Sequence, residues 1–351
     1  ARACLHGRGT QAVVYEPQGV AAAPEPGRGE VRVRVRAAGV CNADAMVCRG
    51  EYPTWLRHVY PSHPGNPVVP GYDCVGEVEA VGPGVKELGV GDWVACMTMF
   101  GAFQQQVLVH ATRNAVVKVP AAARAHPPEK QVALVLNYLT AWGMLHRRAR
   151  LQPGQVCLVH GLGGGMGAAF LELCREAGVR CLGTASAGKH AFIEGLGGSP
   201  IDYKGEEGCW EEEVMRRTGG AGVDAVFDPF GGTYVRRSLE CLKPDGKYFL
   251  YGLGATSPAN KGTMGGMLST AASFLGSKAA SLLGGHRVEF FGVIDPGVPA
   301  LKADLLTLLE MLGAGKLDPP IHEVFPLSRT REALQALERG QSQGKVVVDC
   351  A

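Results

Sequence analysis

One stretch, CLVHGLGGGMGAAF at 157–170, limits what this chain can fold into more than any other. An apolar run, CLVH, meets the glycines Gly161, Gly163, Gly164, Gly165 and Gly167 and leaves through Ala-Ala-Phe. Glycines between a strand and a helix permit a tight turn, close approach of the backbone to a ligand, and close packing of helix on strand. The start of that helix offers unpaired N–H groups, which suit the oxygens of a pyrophosphate. A strict G-x-G-x-x-G does not fit. Ending on Gly167, the pattern reads Leu162-x-Gly164-x-x-Gly167, with leucine in the first glycine position. A glycine-rich turn without a ligand is the other reading; the strand candidates that follow favour a dinucleotide site.

Downstream, two periodicities alternate. Strand candidates are CLVH at 157–160, VRCLGT at 179–184, PIDY at 200–203, DAVFD at 224–228, KYFLYG at 247–252 and VEFFGV at 288–293. The helical segments AAFLELCREAG, KHAFIEGLG, CWEEEVMRRTG and TYVRRSLECLK lie between them. Such alternation predicts a parallel sheet covered on both faces, an α/β doubly wound domain. Upstream the texture is β-rich. EVRVRVRAA at 30–38 alternates Val and Arg, one face buried and one wet. GYDCVGEVEAVGPG at 71–84 ends in a Gly-Pro-Gly turn, and GDWVACMTM and QQQVLVHA follow as short strands. Residues 129–148 read as a helix, and so do residues near 302–312. The final IHEVFPL, REALQALERG and KVVVD have the texture of the first part. At 351 residues the chain exceeds one ordinary core. The expected division is therefore a β-rich substrate domain of 1–128 with 298–351, and a nucleotide-binding domain of 129–297.

The formal net charge of +2 gives no reason to expect nucleic acid or an anionic membrane as partner. Eleven cysteines, an odd number without a C-x-x-C pair, argue against a disulfide framework and for a reducing compartment. The cytoplasm fits that, as does an organelle after loss of a targeting peptide.

The second strand of the α/β region decides the dinucleotide. An NAD site carries an acid near its end, for the ribose 2′-OH. Here the chain reads Gly183-Thr184-Ala185-Ser186-Ala187-Gly188-Lys189, with no acid. Hydroxyls at Thr184 and Ser186 and the charge of Lys189 suit a 2′-phosphate; a surface lysine opening a helix is the other reading of Lys189. Tyr203, after the third strand, adds a phenol. NADPH is the expected cofactor. Its site is assigned to Gly164, Gly165, Met166, Gly167, Thr184, Ser186, Lys189, Tyr203 and Gly252.

With these segments in view, the chain resembles the medium-chain dehydrogenase/reductase superfamily, in its zinc-free quinone oxidoreductase-like branch. The resemblance rests on AAGVCNADAMVCRGEYP at 37–53, VVPGYDCVGEVEAVGPGV at 68–85, NYLTAWGML at 137–145, LQPGQVCLVHGLGGGMG at 151–167, GVDAVFDPFGG at 222–232 and GKVVVD at 344–349. It implies a Rossmann domain beside a partly open, GroES-like β-barrel domain built from both chain ends, with the active cleft at their junction. Zinc-dependent relatives take a Cys, a His in a Gly-His-Glu segment and a third ligand. Here Cys41 holds the first position, but Gly71-Tyr72-Asp73 lacks the histidine and no structural-zinc cysteine lobe is present. No metal is expected, and Cys41 is counted with Asn42 and Tyr52 among the catalytic-site candidates, as a residue that lines the pocket or is buried beside it. In the branch's pattern an asparagine and a tyrosine line the acceptor site. Asn42 stands one residue beyond the usual place, where Cys41 sits, and Tyr52 matches the tyrosine position. Tyr52 then orients the acceptor or relays a proton; an ordinary packed tyrosine is the alternative.

Hydride transfer without zinc suits an acceptor polarised by conjugation, a quinone or an α,β-unsaturated carbonyl. A cofactor-binding structural or assembly component with little turnover is the competing expectation. The resemblance also implies a homodimer. The loop 54–67 is a candidate for one wall of the acceptor site. The Ala/Ser/Gly/Leu-rich segment 262–285 is expected to form an extra helix between the fifth and sixth strands, which caps that site, packs against another subunit or is simply buried on its own domain. Lys278 and the small polar residues make 262–285 unsuited to spanning a membrane.

Overall fold

A computed structural model describes residues 1–17, 25–51, 68–204, 209–252, 275 and 285–351. The chain divides into two units, Ala1–Leu139 with Pro296–Ala351 and Thr140–Asp295. The first boundary falls within the helical stretch between 128 and 149. Tyr52, the loop 54–67 and, apart from Leu275 and Gly285, the segment 262–285 lie outside the described residues.

Among the described residues the strands run in chain order as β1 (Arg2–Leu5), β2 (Val13–Glu16), β3 (Glu30–Val40), β4 (Asp73–Val81), β5 (Trp93–Met97), β6 (Gln106–His110), β7 (Ala115–Lys118), β8 (Val156–His160), β9 (Arg180–Ala185), β10 (Ser199–Asp202), β11 (Val223–Asp228), β12 (Leu242–Leu250), β13 (Arg287–Phe290), β14 (Ile321–Pro326) and β15 (Lys345–Asp349).

In the unit built from both chain ends, the main sheet runs β14-β15-β3-β4-β5-β7, with β6 also paired to β3, and does not close. The Val/Arg alternation of β3 explains its place. Val31, Val33 and Val35 are fully buried, while Arg32 and Arg34 meet Glu79 on the wetter face. The last strand returns to β3, pairing Val346 with Val40 and Val348 with Ala38 in antiparallel register. Cys74, Cys96, Val94, Phe103, Leu334 and Val346 share that unit's core.

The other unit holds six parallel strands in the order β10-β9-β8-β11-β12-β13. Counted from β8, that is 3-2-1-4-5-6, the Rossmann order. Helices Gly165–Glu176, His190–Gly195, Trp210–Arg217 and Thr233–Leu239 connect the strands. Phe170, Phe227 and Phe249 stack in succession, at centroid distances of 4.6 and 5.6 Å. Trp210, Val214 and Tyr248 belong to a second apolar cluster of the same unit. The strand order reverses between β8 and β11, and ligands of such sheets bind at the carboxyl ends of the strands there.

Several elements differ from expectation. The helix expected near 302–312 starts at Val298, because Pro299 is preset for a first helical turn and its missing N–H is not needed there. The helix TYVRRSLECLK stops at Leu239, and β12 begins at Leu242. A register shift on β11 between Val223 and Ala225 accommodates Pro244-Asp245-Gly246. The expected helix 129–148 is a succession of α-turns and wider π-turns, at Leu134–Tyr138 and Gly143–Ala149. Among the described residues no helix is long and apolar enough to cross a membrane.

Candidate functional site

The glycine turn follows β8. Gly161 takes the left-handed conformation, at φ 74°. Its N–H and that of Leu162 donate to the Thr184 carbonyl, at 3.1 and 3.0 Å. Leu162 is fully buried. Spacing alone puts leucine in the first glycine position; the structure corrects this, because Gly161, one residue earlier, makes the turn. Gly167 serves packing, since a Cβ there would lie 1.9 Å from the Leu162 carbonyl oxygen. Gly164 differs: a Cβ there would meet only the Gly161 oxygen, at 3.7 Å. It is the N-cap of helix Gly165–Glu176, and no side chain caps that end. Open space over Gly164 and an uncapped helix start fit a pyrophosphate. Gly165 and Met166, both half-buried, complete the first turn.

The residues after β9 separate into two groups. Thr184 is buried, and its hydroxyl bonds His160 Nδ1 at 3.0 Å. Its side chain is thereby committed to the interior, which corrects its assignment as a phosphate-binding hydroxyl. Ser186 is half-buried and caps nothing with its side chain. Lys189 lies against the glycine turn: a Cβ on Gly163 would come 2.4 Å from its Cδ. Burial pulls the Lys189 ammonium below its usual pKa. Tyr203 is half-buried, and Lys204 Nζ stands 5.6 Å from its ring centroid. Lys204 is a further, exposed cation here that the sequence pattern does not single out. Its signal was only its place beside Tyr203.

Sequence reasoning also missed the turn after β11. Asp228 is fully buried and accepts hydrogen bonds from the Phe230 and Gly231 N–H groups, at 2.6 and 3.1 Å, and from the Tyr248 hydroxyl at 2.6 Å. Burial pushes its carboxyl pKa up. Asp228 thus shapes Pro229–Gly232, and the Phe230 ring comes within 3.4 Å of a Cβ placed on Gly161. Gly252 belongs to the same corner, since a Cβ there would lie 2.0 Å from the Pro229 oxygen. That makes Gly252 a packing glycine of the corner. The segment DPFGG carried the signal: an acid followed by glycines at a strand end.

The catalytic candidates lie in the other unit. Cys41 is the N-cap of helix Asn42–Arg49. Its Sγ lies 3.0 Å from Asp44 Oδ2, and its N–H donates to the same oxygen at 2.9 Å. Asp44 Oδ1 accepts from the Gly71 N–H at 3.0 Å. Burial raises the Asp44 carboxyl to about 6 and pushes the Cys41 thiol well above its usual range. A buried thiol held against a carboxylate is no activated nucleophile, so Cys41 is corrected from a catalytic to a structural residue. Asn42 is exposed on the first turn of the helix. Tyr52 lies outside the described residues.

Among the described residues the donor set around Cys41 does not fit zinc. Tyr72, buried, fills the place of the histidine, and Asp73 Oδ2 is taken by Lys345 Nζ at 3.3 Å and the Leu136 N–H at 3.2 Å. Among the described residues, the three-membered group of metal-capable side chains is Cys157, Cys174 and Cys181, buried in the other unit.

Comparisons with known proteins agree with this architecture. The profile described as alcohol dehydrogenase GroES-like domain matches residues 27–121, and the one described as zinc-binding dehydrogenase matches residues 198–348. The human synaptic vesicle membrane protein VAT-1 homolog is 32% identical over 333 residues, covering 93% of this chain and 81% of that protein. A 2-haloacrylate reductase from a Burkholderia species is 30% identical, covering 92% and 91%. The structure of Escherichia coli quinone oxidoreductase complexed with NADPH superposes with a TM-score of 0.82 at 25% identity, covering 99% of each chain. That of the CurK enoyl reductase gives 0.81 at 25% identity, covering 99% and 98%.

Proposed function

This chain belongs to the medium-chain dehydrogenase/reductase superfamily, in its quinone oxidoreductase-like branch, and from that premise we propose that it uses NADPH to reduce a quinone or an α,β-unsaturated carbonyl without zinc. It is an oxidoreductase of the quinone oxidoreductase and enoyl reductase type. The observation that carries the finer reading is Lys189, laid along Gly163 beside an uncapped helix start and with no acid at the end of β9.

The residues divide the work. Gly164, Gly165, Met166 and Gly167 receive the pyrophosphate through backbone N–H groups. Lys189 meets the 2′-phosphate, with Ser186, Tyr203 and Lys204 around it. A bound nicotinamide supplies the hydride. Asn42 and Tyr52 are proposed to orient the acceptor oxygen and to stabilise the charge that grows on it. The proton that completes reduction comes from solvent or from the Tyr52 hydroxyl. The poor donor set at Cys41 among the described residues supports a zinc-independent reaction. Homodimerisation is carried over from the branch.

Turnover tests this directly. NADPH consumption is followed with a small quinone and with a conjugated enal, before and after exhaustive chelation. We expect turnover with at least one acceptor and none of it lost on chelation. Tight NADPH binding with no consumption by any quinone or enal would sink the enzymatic reading and favour a structural role.

A further inference from the structure

The opposite end of the Rossmann sheet carries a feature unrelated to the cofactor turn. Arg147, Arg148, Arg150, Lys247, Arg287 and Glu289 line a hollow of about 400 Å³. Five cations and one carboxylate exceed the formal surplus of +2 on the whole chain, so the remainder of the chain is net acidic. The hollow lies at the amino ends of the strands, before β8 and where Lys247 pairs with Arg287. The five residues of β8 put it on the order of 15 Å from the glycine turn.

The helix dipole explains part of this clustering. Arg147 and Arg148 close a helix, where cations are favourable. It does not explain the sheet residues. Lys247 and Arg287 are in direct cross-strand register, a like-charge pair that weakens a sheet. Arg150 is the C-cap of the same helix as Arg147 and Arg148: it holds φ 54°, where glycine or asparagine is favoured, and its Nε donates to the Arg147 carbonyl at 3.3 Å, which leaves its charge in place. Glu289 reaches two of the cations, Arg148 at 2.7 Å and Arg287 at 2.6 Å. Lys247 donates to the Ala149 carbonyl at 2.6 Å, which leaves its charge in place. Four of the five cations are arginines, whose planar forks match phosphate oxygens and which stay charged at every physiological pH.

We propose that this hollow binds a compact polyphosphorylated ligand, several phosphomonoesters on one small scaffold, presented free or as a lipid headgroup. One monovalent anion at so exposed a place gains little against screening; several phosphates on one scaffold engage several arginines together.

The test is calorimetric titration of the full chain with inositol hexakisphosphate. We expect a one-to-one complex that added salt weakens. Arg147→Glu with Arg150→Glu should weaken it at least about tenfold, and so should Arg287→Glu alone as an independent variant. Arg113→Glu with Arg339→Glu, both exposed elsewhere, makes the same change in net charge and should alter it less than about twofold. Lys189→Ala should leave it unchanged, which separates this hollow from the cofactor site. Sedimentation with phosphatidylcholine vesicles, with and without phosphatidylinositol 4,5-bisphosphate, distinguishes the sources. Retention on the bisphosphate vesicles, competed by hexakisphosphate, assigns a headgroup; hexakisphosphate binding without retention assigns a free ligand. Absence of binding, or equal loss in the two double variants, would overturn the proposal.

Discussion

Gly167 and Gly164 stand three residues apart and do different jobs. A Cβ on Gly167 collides with the backbone of Leu162, which has no way to yield cheaply. We predict that Gly167→Ala lowers stability by about 3 kcal/mol, the cost of overpacking a tight contact. Gly164→Ala meets nothing closer than 3.7 Å and should change stability by less than about 1 kcal/mol. It should nevertheless weaken cofactor binding, because its methyl group enters the space left for the phosphates. Denaturant unfolding and cofactor titration of the two variants check the contrast; equal stability losses would refute it. At this scale the missing acid and the nearby Lys189 are visible in one dimension, while the place of Lys189 against Gly163 is not. Nor is the turn at Gly161, since spacing reports no backbone angle. Thr184 misled because a strand end offers its hydroxyl to either side, and His160 takes it inward.

His160 shows how elements are tied together. It ends β8, bonds Thr184 of β9 at 3.0 Å, and bonds Ser238 of helix Thr233–Leu239 at 2.9 Å. Its ring meets Trp210 and Tyr234 edge-on, at 4.7 and 4.9 Å. Burial, helped by the charge of Arg237, pulls its pKa down to about 3. The folded protein therefore holds His160 neutral, while the unfolded chain takes up a proton near pH 6.5. Stability from this residue is present above pH 6.5 and is lost as pH falls toward 3. The loss is on the order of 4 kcal/mol over that window. Unfolding of wild type and His160→Gln across pH 4–7 measures it. The difference between them should shrink toward acid; a difference independent of pH would contradict the assignment. The elements themselves were largely legible, because β8–β11 carry short apolar runs bounded by glycines. The start of β12 was not, since Pro244-Asp245-Gly246 reads as a turn and register alone keeps it in the strand.

At the scale of the whole molecule, texture revealed that both chain ends share one unit, and the pairing of β15 with β3 is its physical form. Net charge was a poorer guide. A surplus of +2 conceals five cations around one hollow, because a sum carries no positions. The cysteines give a third prediction. All eleven are free, and ten are buried, with Cys209 half-buried. Burial also raises the thiol pKa of Cys4, Cys41, Cys48, Cys241 and Cys350, with Cys48 pushed up to about 12. A thiol reagent should label at most Cys209 quickly in the native protein and all eleven after denaturation. Fewer than eleven under denaturing, non-reducing conditions would reveal a disulfide and contradict the reducing-compartment reading.

The claim on which the functional reading turns is that the glycine turn and Lys189 form an NADPH site. Fluorescence titration of wild type and Lys189→Ala with NADPH and with NADH tests it in one experiment. We predict that wild type prefers NADPH, and that the variant loses about tenfold or more for NADPH and little for NADH. Equal losses for both cofactors, or no binding of either by wild type, would contradict it.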